Sequence, residues 1–136
     1  MALGELLVEE AGTITGLRVL PATAEGANYE ICLSTEGMLR GTKITTNWTY
    51  LQLVRTDGSI YGTGDGVCTT ECGQTLHLKG SGSAAGPDEN GSIPMRVINH
   101  YHTNSEKFAD LNGAALVGEY DVKPDGTTAM KLWHWK

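Results

Sequence analysis

The chain has 136 residues, 40% of them apolar, and ten basic against sixteen acidic residues give a net charge of −6. That is the length of one domain, and a chain of this size buries about two-thirds of the surface it exposes when unfolded, so it needs neither disulfides nor a metal to hold a core. The acidic balance, with no Lys/Arg cluster anywhere, argues against nucleic acid and anionic membranes as partners, and no apolar run is long enough for a membrane-spanning helix.

The first segment, Met1 to Gly12, carries Glu5, Glu9 and Glu10 and no basic residue, which is not the pattern of a secretory signal. A cytoplasmic, reducing setting is therefore expected. Cys32, Cys68 and Cys72 are read as free thiols, because an odd number outside the secretory pathway does not make a disulfide framework. Asn47-Trp48-Thr49 and Asn90-Gly91-Ser92 match glycosylation sequons by coincidence in that setting.

Eighteen glycines, about twice ordinary usage, are spread between runs rich in Thr, Val, Tyr and Trp. Alternating segments bounded by turn residues predict strands over 5–9, 12–20, 28–38, 43–55, 59–70, 74–84, 92–103, 114–123 and 127–135. Eight or nine short strands in one domain predict an all-β fold, a small closed antiparallel up-and-down barrel or a sandwich, with the barrel preferred. Thr56-Asp57-Gly58, Glu71-Cys72-Gly73 and Pro124-Asp125-Gly126 each end in the glycine that a three-residue hairpin loop places in the left-handed region. Such loops fix register. They set Gly66, Gly64 and Gly62 opposite Trp48, Tyr50 and Gln52, Asp65 opposite Lys79, Gly64 opposite Gly80, and Glu119 opposite Lys131. A two-residue Asp57-Gly58 turn would shift the first pairing by one. Glycines at 62, 64, 66, 80 and 82 suit a strongly bent barrel wall.

One helix, near 104–111, is expected to close a barrel mouth. Thr103 and Glu106 are spaced as a capping box, Phe108 and Leu111 share a face, and Gly113 ends it.

The face with Trp48, Tyr50, Gln52, Cys68, Leu76 and Leu78 is the more apolar and is assigned to the interior. These side chains either fill an eight-stranded barrel or line a lumen holding one small apolar ligand. Lumen candidates are Trp48, Tyr50, Gln52, Tyr101, Tyr120 and His134. In the last hairpin, Leu116, Tyr120, Val122, Met130, Leu132 and His134 share one face and Val117, Glu119, Lys131, Trp133 and Trp135 the other; neither is plainly polar. If the second face pointed inward, Glu119 would be a buried carboxyl suited to acid–base work; as a cross-strand ion pair with Lys131 it would be half exposed.

His100 and His102 alternate on one strand but lack a third ligand, and Cys68, Cys72 and His77 are scattered around a turn, so no metal is expected. No nucleophile elbow is present, and Gly62-x-Gly64-x-Gly66 lies mid-strand rather than before a helix, so no nucleotide or other cofactor is expected. Leu51 and Leu53 alternate with the interior residues, which predicts a covered outer face and a homodimer or homotrimer.

Over residues 40–135 the run Gly62-x-Gly64-x-Gly66, Gly80-x-Gly82, Tyr101-x-Thr103-x-Ser105, Leu111-Asn112-Gly113 and Glu119-Tyr120 resembles bacterial proteins of the allene-oxide-cyclase-barrel-like type. The resemblance implies a small barrel with a central cavity, dimers or trimers, and relatives that include cofactor-free cyclases acting on reactive apolar substrates. No catalytic motif of the plant cyclases matches. The functions left open are a barrel that binds an apolar small molecule, a cofactor-independent cyclase or isomerase in the same cavity, and a packed barrel that acts through its surface.

Overall fold

Eight antiparallel strands close into one ring in the computed structural model, which describes residues 2–136. The strands are β1 (Leu3–Thr23), β2 (Gly26–Leu39), β3 (Thr42–Arg55), β4 (Ile60–Thr70), β5 (Thr75–Ala84), β6 (Ile93–His102), β7 (Ala115–Val122) and β8 (Thr127–Trp135), with a 3₁₀ helix, η1 (Glu106–Leu111), between β6 and β7. Each strand pairs with its neighbours in sequence, and β1 pairs with β8 to complete the ring. It is the up-and-down barrel expected from the sequence.

The three hairpin loops have the expected chemistry. Gly58, Gly73 and Gly126 take φ of 90°, 83° and 84°. In each, the glycine N–H donates to the carbonyl three residues before it, that of Arg55, Thr70 or Lys123, and in two of them an aspartate, Asp57 or Asp125, accepts from the backbone N–H and hydroxyl two residues on. Trp48 accordingly faces Gly66, Tyr50 faces Gly64, Gln52 faces Gly62, Asp65 faces Lys79 and Glu119 faces Lys131.

Two expectations are corrected. Residues 5–9 and 12–20 belong to one strand of 21 residues, not two. Gly12 is no turn: a Cβ there would come within 2.4 Å of the Ser34 carbonyl, so the glycine lets β1 and β2 approach closely and bend. The helix is a 3₁₀ turn without a capping box. Ser105, not Thr103, precedes it and makes no side-chain cap, while the Thr103 hydroxyl donates to the Thr75 carbonyl. Phe108 and Leu111 do share a face, since positions three apart eclipse in a 3₁₀ helix, and both are fully buried.

η1 plugs the end of the barrel where β2 turns into β3. Arg40 holds it with two bonds to Asp110, at 2.6 and 2.9 Å, and the Lys107 ammonium donates to Thr42. At the other end the wall is uneven. β8 accompanies β1 only as far as Thr13, whereas β1 and β2 run on together to Thr23 and Gly26. On this lip Leu17 and Val19 pair with the inward-facing Ile31 and Tyr29, yet Val19 is 73% exposed.

Candidate functional site

Alternation along each strand decides what enters the lumen. In the half nearer the lip, Leu33, Trp48, Tyr50, Met95, Tyr120 and Met130 surround a cavity of about 60 Å³, whose wall is completed by Val97 and Asn99 of β6 and the glycine-rich backbone of β4 and β5. Gly64 and Gly66 are required there: a Cβ at Gly64 would lie 2.5 Å from Tyr50, and one at Gly66 2.8 Å from the Trp48 indole. The two tyrosines meet edge to face, their ring centroids 6.2 Å apart, with their hydroxyls 3.1 Å apart. Burial raises the pKa of both phenols. At Tyr50 the hydrogen bond from its partner partly offsets the effect, and at Tyr120 the neighbouring Tyr50 adds to it. Both therefore stay neutral and present a hydroxyl pair to an otherwise apolar chamber.

Between this cavity and the η1 plug lies a polar layer. Glu10 is only 3% exposed. Its Oε2 accepts from the hydroxyls of Thr35, at 2.6 Å, and Thr46, at 2.9 Å, while its Oε1 has no partner. Tyr101, 4% exposed, reaches in from β6, and its hydroxyl is also unpartnered. Burial pushes the Glu10 carboxyl up, against the lowering effect of the two threonines. The Tyr101 phenol is raised well above its ordinary value by burial first, then by the nearby Glu10 and Cys68. Cys68 completes the layer, its thiol pushed up to about 11, mainly by burial.

Leu33, Trp48 and Asn99 each stand one inward position from Thr35, Thr46 and Tyr101, and Met130 is the cross-strand partner of Glu10. All four line the cavity. The polar layer thus floors the cavity from directly beneath that lining, without itself reaching the open space.

Of the lumen candidates, Trp48, Tyr50 and Tyr120 come together around the cavity and Tyr101 lies in its floor. Gln52 faces inward, half-buried, nearer the lip. His134 is on an inward position of β8 but at the plugged end, close enough to Asp110 to help hold that carboxyl low, and does not line the cavity. Glu119 is on the outer wall, exposed, between its cross-strand neighbours Arg96 and Lys131. The inward carboxyl is Glu10, which in the sequence is one member of an acidic N-terminal run with Glu5 and Glu9.

Pairing also places His77 opposite His102 and His100 opposite Lys79 on the outer wall, which supplies a third histidine to that face. Even so, no three metal-ligating side chains are close enough to share an ion among the described residues. Cys68 points inward, Cys72 is exposed at its turn, and all three cysteines are free.

The fold and its floored lumen define the class: a small, closed, up-and-down β-barrel. No family model and no curated protein matches the sequence, whereas solved structures do match the fold. A protein of unknown function from Clostridium acetobutylicum is similar with a TM-score of 0.85 at 16% identity, over 97% of this chain and 98% of its own. A β-barrel-like protein from Acinetobacter baumannii gives 0.84 at 15%, over 97% and 94%. An enzyme from Penicillium herquei gives 0.71 at 18%, over 95% and 92%. At these identities the likeness is one of fold.

Proposed function

We propose that the barrel binds a small, flat, apolar molecule in the cavity between Trp48, Tyr50 and Tyr120. The supporting observation is the chamber itself: an almost wholly apolar lining with one hydroxyl pair, the usual make-up of a small-molecule site. The volume of about 60 Å³ suits a ring only when its walls yield. Met95 and Met130 are the walls suited to do so, being unbranched and flexible. Access is from the lip, where Leu17 and Val19 form an apolar approach. The resemblance to allene-oxide-cyclase-like barrels fits this reading, and the fungal neighbour, an enzyme, favours chemistry in the same chamber as its extension.

Native mass spectrometry of gently purified protein tests it, with a retained small molecule the expected result. The contrary result is an unliganded mass together with no rise in unfolding temperature on adding indole or naphthalene, since a ligand that binds only the folded state must stabilise it.

A second reading concerns the outer wall. Leu3, Leu6, Ile98 and Trp135 are exposed there around the half-buried Val117 and Trp133, neighbours across β1, β8, β7 and β6. We propose that a second copy covers this band. Arg96 and Glu119 are cross-strand neighbours at its border, and a two-fold axis passing between them would set each against its opposite charge in the partner. Light scattering at high concentration should give a dimer mass, and Trp135→Glu should return it to 14.5 kDa; a wild-type monomer would refute the reading.

A further inference from the structure

Two buried polar atoms in the floor of the cavity have no protein partner: Oε1 of Glu10 and the hydroxyl of Tyr101. One is an acceptor and the other is donor and acceptor at once. A buried group of this kind ordinarily finds a partner, and leaving one unmade costs about 1–3 kcal/mol. Glu10 comes from β1 and Tyr101 from β6, three strands apart round the closed ring; both are buried, and the carboxyl adds to the burial that raises the phenol. They are not alternatives to the Tyr50–Tyr120 pair, whose hydroxyls satisfy each other.

We propose that the floor is a hydroxyl-recognition subsite, and that the lumen's ligand is an apolar ring carrying one hydroxyl, a phenol or a cyclic alcohol. This rests on the lumen-binding reading above. A single hydroxyl meets both needs: its proton is donated to Oε1 of Glu10 while its oxygen accepts from Tyr101. No charged ligand group does so. A carboxylate would face Glu10 across a buried space, and an ammonium would leave the phenol without an acceptor. The Oε2 bonds from Thr35 and Thr46 fix the carboxyl so that its free oxygen is the one offered. Neither floor atom is open to the cavity, which Leu33, Trp48, Asn99 and Met130, the cross-strand partner of Glu10, line above them. Met130 is the side chain that must swing aside, and its flexibility suits it to that.

The test is a ¹⁹F NMR titration with fluorobenzene and 4-fluorophenol, matched rings differing by the hydroxyl. The wild type should bind the phenol at least about tenfold more tightly, the effect of one buried hydrogen-bonded hydroxyl. Tyr101→Phe, which removes one of the hydroxyl's two partners and leaves Glu10 Oε1 to accept its proton, should lower the preference by at least about threefold. Glu10→Gln, whose amide nitrogen cannot accept, should also reduce the preference, and Tyr50→Phe should keep it. Equal binding of the probes by the wild type overturns the subsite and leaves lumen binding intact. A preference kept in Tyr101→Phe but lost in Tyr50→Phe also overturns it, by moving recognition to the upper tyrosines. Binding of neither probe overturns the lumen reading and the subsite with it.

Discussion

Replacing Glu10 with glutamine should stabilise the protein, and only above mildly acidic pH. The amide oxygen keeps the bonds from Thr35 and Thr46, at 2.6 and 2.9 Å, and the amide nitrogen takes the place of an oxygen that has no partner. What is removed is the buried negative charge, since the amide nitrogen is as unpartnered as the oxygen it replaces, and that difference is on the order of 1–3 kcal/mol. The pH dependence has a definite sign. Burial holds the folded-state pKa of Glu10 above its unfolded value, which for glutamate is about 4.3. Below that value both states are protonated and the carboxyl contributes nothing to the slope. As pH rises past it, the unfolded chain loses its proton while the folded one keeps it, so wild-type stability falls until the raised folded pKa is passed, and is flat beyond. The gap between the variant and the wild type should therefore be near zero at about pH 4 and reach about 1–3 kcal/mol on the plateau. Urea unfolding at a series of pH values, followed by tryptophan fluorescence, measures it. Other carboxyls, such as Asp110 held low by Arg40, titrate alike in both proteins and cancel. Parallel profiles, or a wild type more stable at neutral pH, would refute the reasoning.

Further outcomes are expected elsewhere. With a thiol reagent at pH 8, the exposed Cys72 should react at once, whereas Cys68, buried and with its thiol pushed up to about 11, should react only on unfolding. Gly118→Ala should cost at least about 2 kcal/mol by chemical denaturation, in the range of an overpacked core, because its Cβ would fall 1.8 Å from the Lys131 carbonyl oxygen. Gly73→Ala meets no neighbour and should cost only about 1–2 kcal/mol, the strain of a left-handed alanine at φ 83°.

The sequence announces its architecture chiefly through turn chemistry. The glycines at 58, 73 and 126 determine loop type, loop type determines register, and the register of β3, β4, β5 and the last hairpin follows residue by residue. Alternation then assigns faces wherever one face is clearly more apolar, as with Trp48, Cys68, Leu76 and Leu78. It cannot do so in β7 and β8, because Trp133 and Trp135 put apolar bulk on the outside while Glu119 stays exposed there. Glu10 was illegible for a different reason. Its burial is created by β8 closing against β1 and by threonines 25 and 36 residues away, and nothing local distinguishes it from the exposed Glu9 beside it. The split of β1 into two predicted strands has the same origin, since Gly12 is a turn residue by composition and a packing residue by contact.

The uneven wall has a consequence for how the protein stays dispersed. A closed ring offers no hydrogen-bonding edge to a neighbouring chain, but β1 beyond Ile14 has β2 on one side only, and that stretch is apolar enough to recruit a stray strand. Two residues guard it. Pro21 has no N–H to give to an incoming strand, and Arg18, exposed and paired with Glu30 at 3.1 Å, would have to surrender its hydration. Exchanging both for valine should leave the barrel folded and make the lip a seed for aggregation.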